Sequence, residues 1–240
     1  MLLLRYPRKA LFLVFIALLF TPPIFSAPVL RIDSYNFDVD FSGQQAVLIQ
    51  QGDRPEYGEP GFDDSGWEII SLPSGWAELY PDYNGITWYR IHFLFPEELP
   101  RTAVGIRLGV ITDADETFFN GQLIGTSGKV DAPTESAYDK KRLYEIPTAL
   151  IRPGEDNVIA IRVRGLFTYS NGPSTGTFVL GNYSKLLSQM ISRDFLELFL
   201  VVIYLVVAVY FLLFFARRVQ DTENLLFAVF TLAMGAYFAF

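Results

Sequence analysis

Apolar positions follow three regimes along the chain. Between residues 28 and 185, short runs alternate apolar and polar at every second position, and Gly, Pro, Asn and Asp interrupt them at brief intervals. No long helical periodicity appears there, so the pattern is that of strands with a buried face. Residues 35–41 place Phe37, Val39 and Phe41 together. Along 87–95, Tyr89, Ile91, Phe93 and Phe95 share one face and Trp88, Arg90, His92 and Leu94 the other, because successive side chains of a strand point opposite ways. Residues 103–110 group Val104, Ile106, Leu108 and Val110, and residues 157–164 turn Ile159, Ile161 and Val163 inward. Phe118 and Phe119 run into Asn120-Gly121, the dipeptide of a type I′ hairpin, so residues 122–125 return as the partner strand. Pro153-Gly154 turns the chain into the last of these runs. A two-sheet, all-β sandwich of the jelly-roll kind accommodates the series.

The two ends read differently. Arg5, Arg8 and Lys9 precede an apolar run over 10–20, followed by Thr21-Pro22-Pro23 and the small residues Ser26 and Ala27. That layout predicts a secretory signal over 1–26, since the run is too short for a hydrocarbon core of about 30 Å, and Pro28 disfavours cleavage after Ala27. Residues 195–216 read FLELFLVVIYLVVAVYFLLFFA, with Glu197 at the interfacial edge. At 1.5 Å per residue, about 20 residues cross the bilayer core. Arg217 and Arg218 follow, and the positive-inside tendency puts them in the cytoplasm and residues 28–194 on the periplasmic or extracellular side of the inner membrane. The expected division is an exported domain over 28–185, a juxtamembrane linker over 186–194, a membrane helix over 195–216, a cytoplasmic loop over 217–223, and a second helix over 224–240 that is apparently incomplete. In that helix Thr231, Gly235 and Ala239 recur on one face, a small-residue pattern that admits close packing of further membrane helices.

Composition sharpens this. A hydrophobic content of 51% is high for a soluble domain, and net charge is −7 with no Lys/Arg cluster through the middle, which argues against nucleic-acid binding. Cysteine is absent, so the exported domain has neither disulfides nor thiolate metal sites and stands on its hydrophobic core.

Four segments in order carry a resemblance: FDDSGWEIISLPSGW, TWYRIHFLFP, LGVITDADETFFNGQLIGTSG and YEIPTALIRPGEDNVIAIRV. They resemble the galactose-binding-like jelly roll that forms the N-terminal sugar-binding domain of family-2 glycoside hydrolases such as β-galactosidases and β-glucuronidases. With the membrane helices, the chain resembles the bacterial 7TM receptors with diverse intracellular signalling modules, in which an exported jelly roll precedes seven membrane helices and a cytoplasmic output domain. The hydrolases' catalytic barrel is absent, so the portion present is expected not to be an enzyme and to need no cofactor. The resemblance implies a carbohydrate or small polar ligand, with the lipid bilayer and further membrane helices as partners and a homodimer admitted.

Sugar recognition needs a flat apolar face for ring C–H groups and fixed polar groups for hydroxyls. Trp76, Tyr80 and Tyr83 occupy a turn-rich segment before the strand that carries Trp88, with Trp76 open between ligand contact and core, whereas Trp67 reads as core. Arg90 and His92 share the face of Trp88; a lone histidine is read as structural. Asp113, Asp115 and Glu116 lie in a presumed loop where such crowded acids need water, a cation or hydroxyls. The resemblance favours Asp113 or Asp115 as the ligand group. The spacing lacks a regular calcium loop, and no metal site is expected. Tyr169 and Asn171, in a turn-rich loop, are secondary candidates. The expectation is a sensory receptor; the alternative is a membrane-anchored carbohydrate- or protein-binding module without signalling. An exported glycosidase ranks below both, because the acids of 113–116 are too adjacent to flank a glycosidic bond.

Overall fold

The computed structural model describes residues 28–33, 37–99, 101–132, 137–165 and 172–239. The expected signal over 1–26 lies outside them, as do Tyr169 and Asn171. In chain order come β1 (Val29–Arg31), β2 (Val39–Asp40), β3 (Gln45–Gln51), β4 (Glu68–Ser71), β5 (Ile86–Leu94), β6 (Val104–Thr112), β7 (Ala114–Phe119), β8 (Gln122–Ser127), β9 (Lys141–Ile146), β10 (Asp156–Arg164), β11 (Gly172–Asn182), α1 (Tyr183–Arg217) and α2 (Thr222–Ala239).

The alternation read along the strands is the alternation that packs. One sheet runs β4-β3-β5-β10-β7-β8, with β1 beside β5 in parallel, and the other runs β2-β11-β6-β9. Between them Tyr89, Ile91, Phe93, Ile159, Ile161 and Val163 of the first sheet meet Ile106, Leu108, Phe178 and Leu180 of the second in one buried cluster. Each such side chain stabilises the fold by roughly 1.5–3 kcal/mol of transfer energy. The first sheet's other face is covered by the segment between β3 and β4. There Tyr57 meets Trp67 edge-on at 4.9 Å and Trp88 at 6.1 Å, so this sheet is buried on both sides.

The turn motifs interlock. Asn120 and Gly121 both adopt positive φ, 49° and 85°, as a type I′ turn requires. The Asn120 amide donates to Asn157 Oδ1 at 2.9 Å, and Asn157 in turn donates to the Arg152 carbonyl at 2.8 Å, inside the turn that leads into β10. Two motifs far apart in sequence are thus a single hydrogen-bonded unit.

In β6 the expected face is broken. Val104, Ile106 and Leu108 enter the core, but Ile111 follows them in place of Val110. The cause is a bulge: pairing with β9 shifts between Arg107 and Gly109, and pairing with β11 shifts at the same level. Gly109 there takes a φ of 60°, with the Thr175 carbonyl oxygen where a Cβ would stand. An extra residue reverses the period-2 pattern beyond it.

The helices also depart from expectation at one end. Residues 186–194, expected to be a linker, are helix, because α1 starts at Tyr183 directly after β11 with Asn182 as its cap, accepting from the Lys185 amide at 3.0 Å. α1 has 35 residues and α2 has 18, roughly 52 Å and 27 Å at 1.5 Å per residue, and both are long and apolar enough to cross a membrane. They pack through Ala208, Ala228, Thr231 and Gly235, with Tyr204 stacked on Phe238 at 5.7 Å, while Ala239 is exposed.

A β-branched side chain at position 109 meets both a positive φ and the β11 backbone. Gly109→Val is expected to lower stability by about 2–4 kcal/mol, read as a drop in the thermal midpoint of the chain in neutral detergent; an unchanged midpoint would refute the bulge.

Candidate functional site

Register builds a row of chemistry on the outer face of the first sheet. Arg162 of β10 lies opposite Trp88 of β5 on one side and Glu116 of β7 on the other. Phe118 is two residues beyond Glu116 on the same face, and its ring stacks on Trp88 at 5.7 Å and 26°. Asp53 and the turn Pro55–Gly58 fold over this row from the end of β3, enclosing a cleft of about 370 Å³ whose walls include Glu59 and Gly121. That volume suits a small ligand.

The cleft's polar wall centres on Arg162. Its Nε and Nη2 donate to the two oxygens of Asp53 at 2.8 and 2.7 Å, Nη1 to Glu116 at 2.9 Å, and Nη2 also to Asp131 at 2.8 Å. The paired guanidinium holds Asp53 below its usual carboxylate range, against the effect of burial. Hydrogen bonds that Arg162 donates to carboxylates, Asp53 foremost and then Asp131 and Glu116, raise it above its ordinary value. The Trp88 indole donates to Asp53 at 3.4 Å. An aromatic floor beside fixed, ionised acceptors and a guanidinium can receive a ring that presents C–H on one face and hydroxyls at its edge.

Beneath the cleft, Arg90 is wholly buried and donates to Asp64 at 2.5 Å and to the carbonyls of Tyr57 and Glu59 at 2.6 and 2.9 Å. It therefore fixes the segment that walls the cleft and does not itself face the ligand space. His92 bridges Asp64 at 2.9 Å and the half-exposed Asp156 at 2.7 Å. Burial pulls His92 down, but the two carboxylates outweigh it, and its pKa lies above the usual value. Burial likewise opposes ionisation of Asp64, and hydrogen bonds from His92 and Arg90 prevail to lower it.

The sequence candidates disperse. Of the named ligand candidates among the described residues, Trp88 lines the cleft, as floor, with 2% of its surface exposed, and Glu116, noted beside Asp113 and Asp115, lines it too. Trp76 is fully buried in the inter-sheet core, its indole donating to the Tyr83 carbonyl at 3.3 Å, and Tyr83 Oη donates to the Ile86 carbonyl at 2.7 Å. Tyr80 packs beside them, its hydroxyl pushed up to about 12 by burial and by Glu68. These three close one end of the core; they do not form a ligand face.

Asp113 and Asp115 correct the expectation of a solvated or ligand-bearing loop. β6 passes almost directly into β7, and both acids are fully buried. Asp115 accepts from Arg142 at 2.7 Å, Tyr144 at 2.9 Å and Thr117 at 3.2 Å, and burial still raises its pKa. Strand alternation sends Asp115 and Thr117 inward and Glu116 and Phe118 outward. Asp53, Phe118 and Arg162 escape sequence reasoning because only the pairing of β5, β10 and β7 brings them together; the alternating IRVR of β10 is the one local hint.

No protein-family model matches the chain. Over 140 residues it is 31% identical to a β-galactosidase of Thermoanaerobacter pseudethanolicus, covering 55% of this chain and 17% of that protein. Among solved structures it is similar to a glycosyl hydrolase family 2 member from Bacteroides cellulosilyticus (23% identity, TM-score 0.49, 60% of this chain and 20% of that one). It is also similar to a Bacteroides uniformis β-glucuronidase (19%, TM-score 0.49, 60% and 18%) and to a Ruminococcus gnavus β-glucuronidase (19%, TM-score 0.47, 62% and 30%). The chain thus spans less than a third of each of these proteins. The sequence match corrects one expectation: the portion present is expected not to be an enzyme, whereas the curated relative it matches is one, a β-galactosidase.

Because His92 has a raised folded-state pKa, its contribution to stability is complete below the unfolded value near 6.5 and is lost as pH rises through the folded value. The thermal midpoint is expected to fall on that alkaline side, and His92→Gln to flatten the fall; an equally steep limb in the variant would refute the bridge.

Proposed function

We propose that the sheets form a galactose-binding-like jelly roll that takes up a carbohydrate or similar small polar ligand in the cleft on Trp88 and Phe118, outside a membrane that α1 and α2 cross. The observation that carries the reading is the row Trp88–Arg162–Glu116, roofed by Asp53. Resemblance over 140 residues to a β-galactosidase supports a sugar as the ligand class. Sugar rings would lie against Phe118, which stacks on the buried Trp88, and their hydroxyls would accept from Arg162 and donate to Glu116 and Glu59.

The chain is, on this reading, part of a sensory receptor in the inner membrane. A ligand can do signalling work only through unequal affinity for two arrangements of the protein. The unbroken passage from β11 into α1 favours that role over a passive anchor, since the strand runs into the helix with no intervening loop.

Two outcomes are expected. In a sugar screen by thermal shift, a true ligand at about 100 times its dissociation constant adds about 2.7 kcal/mol of stability; Phe118→Ala and Glu116→Gln weaken its binding by about tenfold, and an unresponsive panel would dismiss the cleft. Protease added to intact spheroplasts should digest residues 28–182; protection until lysis would reverse the orientation.

A further inference from the structure

A second cavity, of about 480 Å³, lies where the second sheet meets the first turns of α1, and its walls include Arg107, Val110, Lys141, Met190 and Arg193. Its position is set by two features already described. The bulge at Gly109 turns Val110 outward, and the helical start at Tyr183 carries Gln189 to Arg193 across the sheet face. Arg193 stands two residues before Phe195, where the apolar run begins, about 3 Å along the axis. For a membrane-crossing α1, that is headgroup level.

The charges in this cavity do not balance. Lys141 is neutralised by Asp194 at 2.9 Å. Arg107 and Arg193 make no ion pair among the described residues. Arg107 meets only the neutral Gln189 side chain, at 3.3 Å, and its Nε is buried without a hydrogen-bond partner. Burial lowers the Arg107 pKa, as does the neighbouring Arg193 charge, while Asp40 and Asp38 act against them. Two guanidiniums lining one cavity, one with a stranded donor, are a receptor for a doubly coordinated oxyanion, and Met190 with Val110 supply an apolar wall beside it.

We propose that this cavity binds the phosphate of an anionic membrane phospholipid, with Arg107 and Arg193 as its ligands and Met190 and Val110 against the glycerol and first methylenes. The shared chemistry is phosphate recognition, and the cavity's depth relative to the apolar run favours the lipid over a free ion as its source. The inference rests on the membrane-crossing reading of α1 and adds a lipid site to it. An occupied site would join sheet and helix through the lipid, where the charges of Arg107 and Arg193 oppose each other.

The test uses the full chain in neutral maltoside micelles, titrated with phosphatidylglycerol, phosphatidylcholine or inorganic phosphate and followed by thermal unfolding. Phosphatidylglycerol is expected to raise the midpoint at concentrations where the other two do not. Arg107→Gln and Arg193→Gln are each expected to weaken that response by about tenfold, and Arg217→Gln, at the far end of α1, to leave it intact. Arg193 is exposed, so its variant folds irrespective of the outcome at Arg107. Equal responses to the two lipids, or an undiminished response in Arg193→Gln, overturn the site; an equal response to inorganic phosphate overturns the lipid as its source. Flotation with phosphatidylcholine vesicles separates the two readings: a chain that fails to float loses its membrane span, and one that floats without preferring phosphatidylglycerol loses only this site.

Discussion

The junction at Asn182–Tyr183 constrains everything else. β11 is hydrogen-bonded to β2 on one side and β6 on the other, and its last paired residue is also the helix cap. The Tyr183 amide donates to the Ala103 carbonyl at 2.9 Å, and its ring lies over Gly105, where a Cβ would come within 2.8 Å. Lys185 pairs with Asp38, and Lys141 with Asp194, so both flanks of the first helical turns are tied back to the strands. Exposed pairs such as Lys141–Asp194 contribute little singly. Their effect here is directional: with the backbone continuous, they add two side-chain ties between the strands and the first turns of α1.

Among the described residues, two clusters of buried charged groups lie on opposite faces of the first sheet. Asp64, Arg90 and His92 lie under the cleft; Asp115, Arg142 and Tyr144 lie between the sheets. Charges taken out of water cost several kcal/mol each unless their partners are well placed. Arg142 answers this by also donating to the carbonyls of Ala137, Lys140 and Asp113, and so orders the turn before β9. Arg90 does the same for the segment that roofs the cleft. In both clusters an arginine spends its fork on backbone carbonyls, and the carboxylate keeps that arginine in place.

Much of the fold is legible in the residues, because alternation is a local property. The faces of β5 and β10, the Asn120-Gly121 hairpin and the apolar spans all follow from it. The bulge at Gly109 is not legible, since a glycine in a strand has no local mark that distinguishes an inserted residue from an ordinary one. The acids at 113 and 115 misled because their partners, Arg142 and Tyr144, arrive from a strand far along the chain. Trp76, open on sequence between ligand contact and core, falls to the core because its turn-rich segment folds inward to seal it. Of the cleft, Trp88 was found by its residue type, while Arg162 and Asp53 needed the pairing of strands to become neighbours.

The bulge has a mechanical meaning. Ladders on both sides of β6 lose register at one level, with Gly109 and Gly176 nearly touching backbone to backbone. Sliding β11 along β6 by a single position would exchange the core and outer faces on part of the strand and collide with the inserted residue on the rest. A slide of α1 along its own axis would therefore have to undo both ladders at that level, because the strand that runs on into the helix is the one paired across the bulge.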